Sequence, residues 1–158
     1  IPGAVTVMFL PMKTTAKPQP SESEIKAVAQ HLNQKRLITT ELYVVGPRYK
    51  DISALQVNLS IGADYDLKAV KDAVQTRLLK FFHPVTGGRQ NSGWPFGEDI
   101  YLSDIFCQIL AVDGVTRAYD LTLAVEGITN STDRIEVTEQ QLIFLSAKVL
   151  DIKVDYEY

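Results

Sequence analysis

Between Ile52 and Phe81 the hydrophobic pattern changes its period once, and that change restricts the fold more than any other feature of the sequence. Leu55, Val57, Leu59 and Ile61 alternate with Ala54, Gln56, Asn58 and Ser60, the two-residue period of a strand with one face buried and the other wet. Leu67, Val70, Val74, Leu78 and Phe81 then recur at spacings of three and four, the stripe of an amphipathic helix. Asp64 or Asp66 can cap its start. A strand with one face to bury, followed at once by a helix with one stripe to bury, asks for layers of helix and sheet.

The flanking segments repeat the theme. Ala4 to Leu10 is a short apolar, β-branched run ending at Pro11; both faces are largely apolar, so it reads as a strand buried on two sides. After the polar loop KTTAKPQP, Ser21 and Glu24 have capping-box spacing. Ile25, Val28 and Leu32 then follow a helical period, and ELYVV reads as a strand closed by Gly46-Pro47. Downstream, Leu102, Ile105, Phe106 and Ile109 predict a third helix, stopped by Asp113-Gly114. Val115, Arg117, Tyr119, Leu121, Leu123 and Val125 alternate through a long strand. A polar turn (GITNSTD), the run IEVTEQQLIFL and a last alternating strand of Leu150, Ile152, Val154, Tyr156 and Tyr158 complete the chain.

The expected fold class is α+β: two small ferredoxin-like or split βαβ sandwiches with antiparallel or mixed sheets. The expected division is a β-α-β subdomain over 1–46, a β-α-loop-α-β subdomain over 47–126, and C-terminal strands over 127–158 that pack on or extend a sheet. Gly46-Pro47 punctuates the chain at the main boundary.

Function has to be sought in the stretch HPVTGGRQNSGWPFGEDIY, which holds four of the nine glycines and the only tryptophan. A phosphate loop needs a lysine and a hydroxyl after its last glycine, but Arg89-Gln90 follows Gly88 and Glu98-Asp99 follows Gly97. A dinucleotide fingerprint needs its glycines between strand and helix, and these follow a helix. His31, His83 and Cys107 are scattered and lack metal spacing. They read as a surface or half-buried histidine, a helix-end cap and a small core residue of an apolar helix. Carboxylates fall in loops and first turns, as capping groups do. Arg89, Glu98 and Asp99 are the only ionisable candidates beside the loop. The expectation is therefore no enzyme, no cofactor and no metal.

Two alternatives stay open for the aromatic tip Trp94-Pro95-Phe96: a latch folded onto the chain's own core, or a holdfast for a partner. The candidate latch or interface comprises Gly87, Gly88, Arg89, Trp94, Pro95, Phe96 and Gly97, with its glycines expected at positive φ. Ile152, Val154, Tyr156 and Tyr158 form a candidate edge strand, available for pairing with another chain. A formal charge of −3 gives no electrostatic case for nucleic acid. No apolar run approaches the ~20 residues of a membrane span, and no signal peptide is visible. The chain opens on Ile1-Pro2-Gly3 without an initiator methionine, which reads as a processed chain or a piece of a longer one.

LITTELYVVGPRYKDISALQVNLSI, a helix ending FFHPVTGG, then GWPFGEDIYLSDIFCQILAVDGV and RAYDLTL together resemble the C-terminal part of baseplate J-like proteins. PGAVTVMFLP and LIFLSAKVLDIKV extend the resemblance over nearly the whole chain, and GWPFG with its upstream HPVTGG is its most specific part. Such proteins build the baseplate wedges of contractile phage tails and related contractile injection systems. The resemblance implies a structural subunit without catalysis, with other wedge subunits and copies of itself as partners. It implies a place in a tail baseplate or injection-system particle, made in the bacterial or archaeal cytoplasm and not secreted by a signal peptide. The alternative function is a small ligand-binding regulatory α+β module, an analogy at the level of fold.

Overall fold

The computed structural model describes residues 3–126, 128–130 and 133–157. The chain divides into two compact units, Ile1–Arg48 and Tyr49–Tyr158. Both mix helix and sheet, an α+β fold.

In the first unit β1 (Ala4–Met8) and β2 (Glu41–Val45) pair in parallel, with α1 (Glu22–Asn33) as the crossover between them. Parallel strands cannot be joined by a tight turn, so a long crossover is obligatory, and here the helix provides it. Ser21 starts it. Its Oγ accepts from the Glu24 N–H at 3.3 Å, and its own N–H donates to Glu24 Oε2 at 2.7 Å, which satisfies two otherwise orphaned donors. Lys13 Nζ reaches the same Glu24 oxygen at 2.8 Å and Gln19 O at 3.0 Å. Hydrogen bonds from Lys13 first, then from Ser21, hold the Glu24 carboxyl at about 2, below its ordinary 4.5.

The two-sided burial expected of β1 is not what the structure has. No residue of α1 is buried, and Val5, Tyr43 and Val45 are exposed. One helix covers one face of a two-stranded sheet, so an apolar pattern on both faces leaves the second uncovered.

The second unit is built on β3 (Arg48–Ile61). Along one edge β5 (Val115–Val125) runs antiparallel and carries β6 (Ile128–Asn130) beyond it. The opposite edge is shared by β8 (Gln141–Phe144) and β9 (Leu150–Tyr156), a 3-10 turn at Ala147–Val149 lying between them in sequence. β9 pairs in parallel with the second half of β3, Leu55 opposite Leu150 through Ile61 opposite Tyr156. β4 (Ile100–Tyr101) and β7 (Arg134–Ile135) form a separate antiparallel pair. On one face of the mixed sheet lie α2 (Leu67–Phe81), capped by Asp66 Oδ2 accepting from the Ala69 N–H at 2.8 Å, and α3 (Leu102–Leu110).

The core is the seam predicted by the two periods. Leu55, Val57, Leu59 and Ile61 of β3, Val70, Val74, Leu78 and Phe81 of α2, and Ile105 and Ile109 of α3 are all buried. None of the described polar or charged residues is buried. Cys107 is a correction. It is exposed, because α3 buries Ile105 and Ile109, and a residue two positions from each lies across the helix.

The uniform alternation expected along β5 is also corrected. Between Asn58 opposite Tyr119 and Gln56 opposite Thr122, β5 contains one residue more than β3. Asp120 is the turning point, at φ +52° with its Oδ2 accepting from Asn58 Nδ2 at 3.0 Å. An extra residue exchanges the faces of everything before it. Ala118 therefore lies opposite buried Leu59, while Arg117 and Tyr119 lie opposite Ser60 and Asn58 on the wet face, the guanidinium 5.1 Å from the phenol ring centroid.

Candidate functional site: the glycine-rich connector

The connector begins where α2 ends. Gly87 N–H donates to His83 O and Gly88 N–H to Phe81 O, both at 2.8 Å, which satisfies carbonyls of the last helical turn. Gly93 N–H returns to Gly87 O at 2.9 Å and Trp94 N–H to Pro84 O at 2.9 Å, closing the loop on its own stem. Gly88, Gly93 and Gly97 take positive φ; Gly87 does not. Gly87 is needed for space instead: a Cβ there would lie 2.2 Å from Phe81 O and 2.6 Å from the carbonyls of Lys80 and His83. His83 caps the same turn through Nδ1, which accepts from the N–H groups of Val85 and Thr86 at 3.3 and 3.2 Å. His31, by contrast, is exposed on α1.

Trp94 points inward and is 6% exposed. Its ring lies edge-on to Phe81 with centroids 5.2 Å apart and near-parallel to Phe82 at 6.4 Å. Nε1 donates to Phe81 O at 2.8 Å. Phe96 is half-buried, and Pro95 faces solvent.

Arg89 closes the outer side. Its Nη2 and Nε bond Asp104 Oδ2 at 2.7 and 3.0 Å, Nη1 bonds Glu98 Oε1, and Nη2 also reaches Asp99 O at 3.3 Å. The guanidinium carbon lies 5.7 Å from the Trp94 ring centroid and 5.6 Å from that of Tyr101, within reach of both π faces. Asp104 stands in the first turn of α3, where the helix dipole favours a carboxylate. Asp99 turns the other way: Oδ1 accepts from the Val137 N–H at 2.9 Å, and Oδ2 lies 3.6 Å from Arg134 Nε. The Arg134 pKa is raised, first by its hydrogen bond to Glu136.

Arg89, Glu98 and Gly93 also line a cleft of about 270 Å³. The three ionisable residues singled out beside the loop are engaged with one another, with Asp104 and Arg134, and with backbone. That arrangement ties the end of α2 to the start of α3. Among the described residues no three His, Cys, Asp or Glu side chains come together as a metal site, and no helix is long and apolar enough to cross a membrane. The edge-strand candidates lie elsewhere, on β9: Ile152 is buried, Val154 half-buried and Tyr156 exposed, while Tyr158 falls outside the described residues.

Sequence reasoning missed Asp104 and Arg134, which carry no local signal because their partners lie far away in the chain. Phe81 was legible as the end of the helical stripe, though not as part of the bed for Trp94. It also missed the apolar surface of the first unit, where Leu37 is 74% and Ile38 98% exposed.

The whole is an α+β chain whose most elaborated feature is a connector locked by aromatic packing and ion pairs. Compared with models of known protein families the sequence matches none, and it matches no curated protein. A likeness in structure does exist. The chain superposes on a chain of the anti-feeding prophage (AFP) baseplate, solved by cryo-electron microscopy with six-fold symmetry, at a TM-score of 0.65 and 15% identity. The match covers 92% of this chain and 30% of that one. At that identity the likeness is one of fold, spanning less than a third of the baseplate chain's length.

Proposed function

We propose that this chain is a structural element of a baseplate wedge in a contractile tail or injection system, acting through protein–protein assembly and not through catalysis. The observation that carries the reading is the continuity of the fold likeness to the AFP baseplate chain, 92% of the present chain. The motifs around GWPFG that resemble baseplate J-like proteins point to the wedge. The connector supports it too, since its ionisable groups brace the domain. So does the first unit, whose buried described residues are Pro11, Pro18 and Pro47 alone and which exposes Val5, Met12, Leu37, Ile38, Tyr43 and Val45. Apolar surface of that kind is what a partner covers. The proposed location is the particle's baseplate, and the proposed partners are wedge subunits and further copies of the chain.

Mixing the purified chain with the other baseplate subunits of its particle and sedimenting the mixture tests this. Co-sedimentation with at least one subunit is expected, weakened by Leu37→Asp/Ile38→Asp in the exposed turn. A chain that binds none of those subunits, sedimenting apart from each of them, would overturn the reading.

A further inference from the structure

Among the described residues β9 pairs with β3 and with no other strand, so its second edge is open. Glu157 N–H donates to Ile61 O at 2.9 Å. Alternation along a strand then turns Asp151, Lys153 and Asp155 toward β3 as well, and directs the N–H and C=O groups of Leu150, Ile152, Val154 and Tyr156 to the open side. α2 is the helix beside β9, and its Leu67, Lys68 and Lys71 line with β9 a cleft of about 550 Å³ onto which the edge opens. The charges of β9 lie on the sheet's wet face, opposite Gln56, Asn58 and Ser60, so they do not obstruct a strand arriving at the edge.

We propose that this edge is the seam of a two-fold homodimer in which β9 pairs antiparallel with β9 of a second copy, Ile152 opposite Ile152. The charge pattern selects the occupant and the register. In that alignment Ile152 faces its own copy and Leu150 faces Val154 as hydrogen-bonded pairs, which needs their outward-turned backbone groups. Between them, at the closely spaced non-hydrogen-bonded positions, Asp151 of each chain meets Lys153 of the other, twice. Centring the pair on Lys153 instead sets Lys153 against Lys153 and Asp151 against Asp155. Centring on Val154 sets Asp151 against Glu157. Only the Ile152 register joins opposite charges without opposing like ones. The inference stands on the geometry of β9 and not on the baseplate reading, so a dimer outside any baseplate keeps it, and a monomer that co-sediments with baseplate subunits removes it alone.

Sedimentation equilibrium on the 158-residue chain and three charge variants is the test, with far-UV circular dichroism to check that each variant is folded. Wild type is expected at twice the chain mass at high concentration. Asp151→Lys alone, which creates two lysine pairs, and Lys153→Asp alone, which creates two acidic pairs, are each expected to weaken self-association by about tenfold or more. Mixing the two single variants in equal amounts restores complementary pairs and is expected to restore the dimer, as is Asp151→Lys/Lys153→Asp in one chain. A wild type that stays monomeric at millimolar concentration, or folded single variants that dimerise as well as wild type, would overturn the proposal.

Discussion

Trp94 shows how much one side chain can hold. It fills the space over Phe81 and Phe82 and donates to Phe81 O. Trp94→Ala is therefore expected to destabilise the second unit by roughly 3 to 5 kcal/mol in urea unfolding. Trp94→Phe is expected to cost much less, because Phe81 O keeps the Gly88 N–H as a donor at 2.8 Å and is not orphaned. Glu24 acts at the same scale but answers to pH. Its folded-state value of about 2 lies below the ordinary 4.5, so its contribution to α1 is complete above pH 4.5 and is lost as pH falls through 2. Amide exchange of α1 is expected to speed up relative to the second unit across that window in wild type, and in Glu24→Gln to be fast already at neutral pH.

At the scale of the element, β5 is held in register by an irregularity. Asp120 at φ +52° lets Arg117 and Tyr119 face water while Leu121, Leu123 and Val125 turn inward. A β-branched residue tolerates that backbone poorly, so Asp120→Val is expected to destabilise by about 1–2 kcal/mol. Asp120→Asn, which accepts the left-handed conformation and keeps an oxygen for Asn58, is expected to change stability far less. Chemical denaturation of both variants checks this. A pure alternation rule reads β5 as one face throughout, and it fails where a bulge inserts a residue, since the pairing partner and not the local sequence determines where the count slips.

Across the whole molecule, apart from Pro11, Pro18 and Pro47, the buried apolar side chains of the described residues all belong to Tyr49–Tyr158. Stability should follow them. Native-state amide exchange is expected to find α1, β1 and β2 opening well before β3, β5 and α2, with protection in the first unit raised when a partner covers it. Equal protection in both units of the isolated chain would count against this. The sequence by itself determined the order of the three helices and the longer strands, the cap at Ser21 and the apolar patterns of Leu55–Ile61 and of α2, because each is a local or periodic property of neighbouring residues; it did not mark the short β4, β6 and β7, β6 falling in the GITNSTD that reads as a turn, and it left the start of α2 open between Asp64 and Asp66. It also singled out the connector, through its glycines and its lone tryptophan. Only the tertiary structure decided that Trp94 lies over Phe81 and Phe82, that Arg89 reaches Asp104, that Cys107 faces out and that β1 stays half uncovered. Those outcomes depend on which segments distant in the chain come to share an edge or a face, and a one-dimensional pattern records what a side chain must bury but not what it will be buried against.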